Sequence, residues 1–558
     1  MRGSTSKLVL LLQMYRRIKE LRKSMLRRIV LMGIGFTMFS MTSLAQTPSA
    51  QTTTEKFGTL LYYIEQMYVD SVDSEELTEK AIRSMLEELD PHSSYISKEQ
   101  VDDANAPLKG KFQGIGIQFN ILKDTIMVVS PISGGPSDKL GIQAGDKIVE
   151  VNGENVAGVG ITNGDVRDKL MGPKGTTVNV GIKRQGSKST LEFPIVRDNI
   201  PIYSVDASYM LDEKTGYVKV NRFSSTTITE LQQALVNMND QGMQDLILDL
   251  QGNGGGYLQA AIQMADEFLS EQKLIVFTQG RAFPKDNFFA KHEGLFEKGR
   301  LIVLVDEGSA SASEIVSGAI QDWDRGLIIG RRSFGKGLVQ RPVPLPDGSE
   351  VRLTVQKYHT PSGRCIQKSY DNGVEAYRKE KYNRYDSGEL YSMDGLEFPD
   401  SLKYETNIKK RTVYGGGGIL PDLFVPLDTT MSSEYFSQLI RTGSFNQFVL
   451  SYANTNRESL MKLYPSSQDF LDAFEVSNAF RSDLIAYGEN EGVEYNEEQM
   501  TISRKAVDIR LKALLGRNLF DSEVFYIVIN DLNSALQAAK EAFNNGTFER
   551  ANLAHKDF

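Results

Sequence analysis

Two short motifs place a serine and a lysine where they could do chemistry together. Ser311 lies in residues 308–315 (Gly-Ser-Ala-Ser-Ala-Ser-Glu-Ile), and Lys336 lies in residues 333–337 (Ser-Phe-Gly-Lys-Gly). A serine hydroxyl is a weak nucleophile until a neighbouring base removes its proton, and a neutral lysine amine can be that base. The two motifs therefore predict nucleophilic catalysis by a Ser/Lys dyad.

The lysine can act as a base only if the fold lowers its pKa. At the ordinary pKa near 10.4, only about one lysine in 2,500 is neutral at pH 7, and burial is one way to lower the pKa. Gly335 and Gly337 allow close backbone packing, and Phe334 supplies an apolar wall. A Ser/His pair stays open as an alternative, because folding could bring a histidine to Ser311. The chain has four histidines: His92, His292, His359 and His555.

Each motif also has a purely structural interpretation. Ser311 and Glu314 precede an apolar run of helical spacing and fit a capping box, in which side chains satisfy free amides at the helix start. A lysine between glycines is commonly a solvated loop residue. Residues 327–330 predict a short strand ahead of the lysine loop, so the serine and the lysine both lie at the ends of elements. The combination of the two motifs favours the chemical interpretation.

A third segment could stabilise negative charge. Residues 246–250 predict a buried strand, residues 251–256 (Gln-Gly-Asn-Gly-Gly-Gly) a tight turn, and residues 258–269 a helix. Backbone amides at a helix N-terminus favour an anion, so this turn could hold a developing oxyanion. A dinucleotide site is the competing interpretation, but Tyr257 stands where the third glycine of Gly-x-Gly-x-x-Gly would be.

Residues 110–197 have an all-β pattern with one helix and resemble a PDZ domain. Such domains add a peptide as an extra strand and capture its terminal carboxylate with loop amides. Val166 and Leu170 lie four residues apart on the predicted helix and could line a pocket for an apolar side chain or be ordinary core residues. The amides expected to bind the carboxylate are those of Gly114, Ile115, Gly116 and Ile117.

The serine and lysine motifs together resemble the carboxyl-terminal processing proteases, also called tail-specific proteases. That family is marked by Ser-Ala-Ser-Ala-Ser-Glu-Ile followed by Phe-Gly-Lys-Gly, and both motifs are intact here. The resemblance runs from about residue 55 to residue 430. It implies that Ser311 is the nucleophile, that Lys336 is the general base, and that Gln340 orients the lysine.

The same resemblance implies that an amide of the glycine turn and the amide after the nucleophile form the oxyanion hole. Here these are Gly255 or Gly256, together with Ala312. The family commonly has Asn-Pro-Gly-Gly where this chain has Asn-Gly-Gly-Gly at residues 253–256, so the donor's position is open by one residue.

The resemblance further implies an exported serine endopeptidase that recognises the free C-terminal tail of a protein and cleaves upstream of it. The expected substrates are proteins or peptides with free, apolar C-termini. A non-catalytic PDZ-containing chaperone or scaffold is the alternative, and the intact Ser311, Lys336 and Gln340 argue against it. The expected fold is multidomain α/β: a mixed α/β protease core with crotonase-like strand-turn-helix units, an inserted PDZ-like β domain, and helical N- and C-terminal regions.

Composition limits the other possibilities. The chain has 558 residues, 40% of them hydrophobic, which suffices for several cores. The formal net charge is −9, and no basic stripe follows the first 30 residues, so we expect no nucleic-acid partner. The single cysteine, Cys365, excludes an intramolecular disulfide. No cluster has metal-ligand spacing, so we expect no cofactor.

The N-terminus has the pattern of a secretory signal. Basic residues precede an apolar run at 29–44, and Ser-Leu-Ala at 43–45 resembles a cleavage site. The run is shorter than the roughly 20 residues that span a bilayer, so we expect cleavage rather than an anchor that would associate the protein with the membrane. Met25 is a candidate initiator. The expected location is the periplasm or the cell envelope.

The expected domains follow from these patterns. The helical ends could mediate a homodimer, bind an adaptor protein, or pack on the core, and the C-terminal region could be a docking domain or a lid. The predicted boundaries are a signal peptide at 1–45, a helical N-terminal region at 46–105, a PDZ domain at 106–198, a Ser/Lys protease core at 199–428 with an insertion or flexible arm at 370–414, and a helical C-terminal domain at 429–558.

Overall fold

A computed structural model describes residues 50–554, except for residues 133, 185, 271, 395, 397 and 552. The predicted signal peptide and Met25 lie outside the described residues. The chain divides into two compact units, residues 1–82 and residues 83–558. Within the described part of the chain, no helix has both the length and the apolar character needed to cross a membrane.

The first unit contains helix α1 (Ala50–Met67) and most of helix α2 (Ser74–Glu87). Helix α1 buries none of its residues. Helix α2 begins after Asp73, whose Oδ1 accepts the amides of Glu75 and Glu76 at 3.0 Å each. These glutamates lie in the first turn, where the helix dipole favours negative charge.

The region predicted as the protease core is built on a six-stranded sheet in which all neighbouring strands are parallel except the edge pair, where β10 (Val205–Met210) runs antiparallel to β11 (Thr215–Val220). The middle residues of its central strands, such as 246–248 and 301–305, are apolar and buried because both faces of the sheet are covered. Leu246 and Leu248 face the main core, whereas Ile247 faces the C-terminal helices. The strands in spatial order are β10 (Val205–Met210), β11 (Thr215–Val220), β12 (Asp245–Asp249), β15 (Arg300–Val305), β16 (Leu327–Gly330) and β21 (Leu423–Phe424).

Three helices cover the inner face of this sheet, and two of them begin directly after turns that follow strands. They are α6 (Thr227–Asp240), α7 (Leu258–Asp266) and α8 (Ala312–Asp322). A second, antiparallel sheet includes the two strands that directly follow the lysine motif. It contains β1 (Ser94–Ile96), β13 (Leu274–Gln279), β14 (Asp286–Phe289), β17 (Leu338–Pro344) and β18 (Glu350–His359).

The PDZ-like region has its own apolar core around a six-stranded antiparallel sheet. Helix α3 (Val101–Lys109) leads into it, and the ribbon β2–β9 closes it. Its remaining elements are β2 (Lys111–Gly114), β3 (Ile117–Ile121), β4 (Ile126–Pro131), α4 (Pro136–Lys139), β5 (Lys147–Val151), β6 (Glu154–Asn155), α5 (Asn163–Leu170), β7 (Thr177–Lys183), β8 (Leu191–Val196) and β9 (Asp198–Pro201).

Residues 370–414, predicted as an insertion or flexible arm, form helix α9 (Val374–Asp386) and the ribbon β19 (Lys403–Glu405) with β20 (Thr412–Tyr414). The helix buries Tyr377 and Arg384. The segment packs despite its many charges, because the buried Arg384 pairs with the partly buried Glu380 at 2.7 Å while most other charges of the helix stay in solvent.

The C-terminal region is helical, as predicted. Helices α10 to α14 form a separate apolar core, whereas Leu536 and Phe543 of α16 pack on the outer face of the protease sheet. The predicted fold class, a mixed α/β core with a PDZ domain and helical ends, is confirmed. The helices are α10 (Glu434–Arg441), α11 (Ser444–Leu463), α12 (Ser467–Ala473), α13 (Asn478–Asn490), α14 (Glu497–Leu519), α15 (Ser522–Ile529), α16 (Ser534–Asn544) and α17 (Thr547–Arg550).

Candidate functional site

Ser311 lies in a strained turn between strand β15 and helix α8. Its φ of 56° and ψ of −110° are unusual for a residue with a side chain. The glycine turn packs closely against it, since a Cβ on Gly255 would come within 2.9 Å of the Ser311 Cβ and 2.8 Å of the Ala310 oxygen. The serine turn is therefore held in place by strand β15 before it, by helix α8 after it and by the glycine turn that packs against it.

Glu314 links the serine turn to the lysine loop. Its Oε2 accepts the amide of Ser311 at 2.7 Å and the amide of Lys336 at 2.9 Å. Its Oε1 accepts the hydroxyl of Ser333 at 2.5 Å and the amide of Gly335 at 2.7 Å. Burial raises the pKa of this carboxyl, and the four hydrogen bonds oppose the rise. The capping interpretation and the chemical interpretation of Ser311 are thus compatible, because the Glu314 carboxylate caps the start of helix α8 and also binds the lysine loop.

Ser311, Lys336 and Gln340 line one cavity of about 290 Å³. Lys336 Nζ donates to Gln340 Oε1 at 3.0 Å. Burial lowers the pKa of Lys336, whereas the charges of Asp90 and Glu314 oppose this effect. A lowered pKa is what a lysine needs in order to act as a general base near neutral pH.

Tyr358 supports both loops and has no signature in the sequence motifs. Its hydroxyl lies 3.0 Å from the carbonyl oxygen of Ser311 and 2.6 Å from that of Lys336. The side chain is fully buried, and burial raises its pKa well above the usual value, so it remains a donor.

His92 is the described histidine that lies beside the lysine. Its carbonyl oxygen accepts a hydrogen bond from Gln340 Nε2, and its ring Nε2 lies 2.7 Å from the hydroxyl of Tyr377. Burial, and then the charge of Lys336, lower its pKa to about 4. His292 bonds instead to Asp266 and His359 to the Gly363 carbonyl, while His555 lies outside the described residues. Among the described histidines, none bonds to Ser311 as a Ser/His pair would require.

The amide of Gly255 already has an acceptor. It donates to Asn253 Oδ1 at 2.9 Å. Asn253 is fully buried, its Nδ2 donates to the Val220 carbonyl, and its own carbonyl accepts the Ala310 amide at 2.9 Å. Asn253 thus fixes the glycine turn against the serine turn, a role that its place in the sequence did not reveal.

Gly256 and Ala312 both line the cavity. Gly256 bridges Phe223 through the Gly255 carbonyl and the Tyr257 amide, which leaves its own amide pointing away from Phe223. Ala312 is the first residue of α8, so its amide has no acceptor within the helix. Of the predicted oxyanion residues, these two have the better placed amides.

A second cavity, of about 270 Å³, lies in the PDZ-like region. It is lined by Ile115, Gly116, Ile117, Val166 and Leu170. Val166 and Leu170 are also buried, so they belong to the core and to the pocket at once. Helix α3 supplies the opposite wall with Asp103, Ala106 and Pro107. Gly114 pairs with Asp198 at the end of β2 instead.

The comparisons with known proteins agree with this geometry. Residues 214–376 match the model of peptidase family S41, and residues 113–195 match a PDZ domain. Residues 37–100 match the N-terminal domain of the activating protease CtpB, and residues 435–521 match a family of unknown function. The protein is a serine-type peptidase with a PDZ domain.

Similar proteins with established names show to which family of serine peptidases the chain belongs. The chain is 38% identical over 380 residues to a carboxy-terminal-processing protease of Bartonella bacilliformis, covering 65% of this chain and 86% of that protein. It is 34% identical over 349 residues to the carboxy-terminal processing protease CtpB of Bacillus subtilis, covering 62% and 70%. The solved photosystem II D1 C-terminal processing protease is 31% identical, with 56% and 89% covered and a TM-score of 0.32. The chain belongs to the carboxy-terminal processing proteases.

Among the described residues, no three His, Cys, Asp or Glu side chains are grouped so as to hold a metal ion. Cys365 is partly buried, and burial raises the pKa of its thiol. A raised pKa disfavours the reactive thiolate.

Proposed function

We propose that Ser311 is the nucleophile and Lys336 the general base of an exported endopeptidase that recognises substrate C-termini through its PDZ domain. The observation that carries the proposal is the single cavity that holds both side chains, with the pKa of the lysine lowered by burial. Gln340 orients the lysine, since its Oε1 accepts from Nζ while its Nε2 is held by the His92 carbonyl.

The chemistry follows the acyl-transfer scheme for a Ser/Lys pair. Neutral Lys336 takes the proton of the Ser311 hydroxyl as Oγ attacks the substrate carbonyl, and the amides of Gly256 and Ala312 bind the oxyanion. The lysine then protonates the leaving amine, leaving an acyl-serine. A water molecule, deprotonated by the same lysine, releases the new C-terminus and restores the serine.

Tail recognition is supported by the second cavity. Gly116 lines this cavity, so the backbone amides around it would bind a terminal carboxylate, and Val166 and Leu170 would offer an apolar surface to the last side chain. Helix α3 borders both cavities, since Asn105 and Leu108 line the catalytic one. A tail bound in the PDZ pocket would thus lie against the same helix that borders the site of cleavage.

Export is supported by the sequence of residues 1–45. The full-length chain should be expressed in a host that exports it and purified from the periplasm or envelope fraction. N-terminal sequencing should then begin at Gln46. A product that retains residues 1–45 would contradict signal cleavage.

The decisive experiment measures cleavage of an unfolded model protein by the wild type, Ser311→Ala and Lys336→Ala. Each variant should lose at least about a thousandfold in kcat. Lys379→Ala, which changes an exposed lysine, is the matched control and should retain wild-type kcat. Activity that survives Ser311→Ala or Lys336→Ala would overturn the dyad.

The substrate's end tests the PDZ assignment separately. Amidating the C-terminus should raise KM about tenfold, because it removes the charge that the loop amides bind, with a smaller effect on kcat. An unchanged KM would contradict tail recognition while leaving the dyad standing. Binding without cleavage by the wild type would favour the chaperone or scaffold alternative.

A further inference from the structure

The inserted helix α9 packs against the loop that carries Lys336. The guanidinium of Arg384 donates to three successive carbonyl oxygens, those of Arg332 at 3.2 Å, Ser333 at 2.8 Å and Phe334 at 3.2 Å. The Arg384 side chain is only 3% exposed. A buried guanidinium is costly unless its donors are used, and here they are used on the backbone just ahead of the lysine.

The charge of Arg384 is balanced within the insertion. Its Nε donates to Glu380 Oε1 at 2.7 Å, and the other oxygen of Glu380 accepts from Lys368 Nζ at 2.7 Å. Arg332 forms a two-pronged pair with Glu389, at 2.6 Å for each contact. These pairs join helix α9 and the residues after it to Arg332, which precedes the lysine loop, and to Lys368. Planar Arg–carboxylate pairs fix orientation as well as distance.

A second connection runs from the same helix to the lysine amine. The Tyr377 hydroxyl lies 2.7 Å from His92 Nε2, and the two rings meet edge to face with centroids 5.2 Å apart. The His92 carbonyl accepts from Gln340 Nε2, and Gln340 Oε1 accepts from Lys336 Nζ. Tyr377 therefore supports the turn on which Gln340 is anchored.

The lysine loop needs such support. Gly335 and Gly337 flank Lys336 and have no side chains to restrict their own backbone torsions, and the lysine side chain itself has four rotatable bonds. A base displaced by about 1 Å can cost a hundredfold in rate.

We propose that helix α9 is a positioning element for Lys336, in which Arg384 fixes the backbone of residues 332–334 and Tyr377 fixes the His92 turn that holds Gln340. The inference rests on the proposed function, because it takes Lys336 to be the base. Neither Arg384 nor Tyr377 lines the catalytic cavity, so both act through other residues.

The charged and titratable groups that face Lys336 belong to other elements. They are Asp90 and His92 of the turn before β1, Glu314 of α8, and Arg352 and Tyr358 of β18. Arg384→Lys keeps its charge but cannot reach three carbonyls with a planar fork, so it changes position rather than charge. Tyr377→Phe keeps the ring and removes one oxygen atom.

The test compares these two variants with Tyr382→Phe, which changes a tyrosine of the same helix that is 73% exposed. Cleavage of the unfolded model protein is measured for kcat, KM and the pH dependence of kcat/KM. We expect kcat to fall about tenfold or more in Arg384→Lys and in Tyr377→Phe, with KM changed less than about twofold. Tyr382→Phe should match the wild type.

The pH profile distinguishes positioning from a loss of folded protein. A loosened loop exposes Lys336 to water, its pKa rises towards the ordinary value, and the acid limb of kcat/KM moves to higher pH. A variant that is only less stable would keep the wild-type limb. Unchanged kcat and an unchanged limb in Tyr377→Phe, with Lys336→Ala inactive, would overturn this inference and leave the dyad intact. An active Lys336→Ala would instead overturn the proposed function. If Arg384→Lys does not fold, Tyr377→Phe decides the matter.

Discussion

The serine turn and the lysine loop are held in different ways. The serine turn is fixed by Glu314, three residues further along the chain, and by the start of its own helix. The lysine loop is fixed by remote elements, including Gln340 bonded to His92 across 248 positions of the chain and Arg384 of helix α9. The proposed nucleophile is thus held by its own strand-turn-helix unit and the adjacent glycine turn, whereas the proposed base depends on segments that are far apart in the chain.

Substituting Glu314 should have the largest effect, because this residue belongs to both halves of the comparison. Glu314→Gln keeps the volume but places an amide NH₂ among four donors, so at least one donor loses its acceptor. We expect the free energy of unfolding to fall by about 3 kcal/mol and kcat to fall by more than about tenfold.

Unfolding of the core can be followed by the fluorescence of Trp323, the chain's one tryptophan, which directly follows helix α8. Glu375→Gln changes an exposed glutamate and is the control, with an expected change within about 0.5 kcal/mol. Equal stability of Glu314→Gln and the wild type would show that the two loops do not depend on a shared carboxylate.

A substitution in the glycine turn should disturb the serine turn and leave the lysine loop unchanged. A Cβ on Gly256 would lie 2.0 Å from the Phe223 carbonyl oxygen, and its φ of +149° is strained for other residues. Gly256→Ala should therefore displace an oxyanion donor and lower kcat about a hundredfold. The measurement is single-turnover acylation at saturating substrate.

Gly254 provides the matched control, since a Cβ there has no neighbour within 4 Å. Gly254→Ala should keep kcat within about twofold and stabilise the fold by about 0.4–1 kcal/mol, because it restricts the unfolded chain. Equal losses in Gly254→Ala and Gly256→Ala would mean that Gly256 has no special place in the oxyanion hole.

The smallest effect concerns the lysine side and its pH dependence. His92 has a pKa lowered to about 4 from 6.5, so between these values the unfolded chain binds a proton that the folded chain does not. Stability should be independent of this group well above pH 6.5 and should fall as the pH drops from about 6.5 to 4, by roughly 2–3 kcal/mol.

His92→Gln removes the titrating ring, so its unfolding free energy should depend less on pH over that window than that of the wild type. The measurement is urea unfolding at pH 5 and pH 7. Identical slopes for His92→Gln and the wild type would contradict a buried, neutral His92.

Much of the fold followed from local patterns. The apolar run at 246–250, the glycine turn and the helix after it are all present, and the PDZ and protease regions occur in the expected order. The segment 370–414 was harder to predict, because its charges resemble those of a solvated arm. Only the folded chain shows that Glu380 and Arg384 neutralise each other inside it.

The residues of the candidate site divide in the same way, into those that sequence motifs indicate and those that only folding brings together. Ser311, Lys336 and Gln340 were indicated by motifs, and they meet in one cavity. Asn253, Tyr358 and His92 were not indicated in their supporting roles, because an asparagine, a tyrosine or a histidine has no distinctive spacing from a partner that folding alone brings near. Val166 and Leu170 could be core or pocket, and the structure makes them both.

Local sequence patterns indicate the candidate catalytic side chains and the approximate ends of helices and strands, since residue type, helical or strand period and glycine content act over a few neighbouring residues. The packing of distant segments decides how Lys336 is buried, which amides of the glycine turn already have acceptors, and that helix α9 packs against the lysine loop. These features depend on contacts between segments far apart in the chain, and such contacts exist only when the whole core has packed.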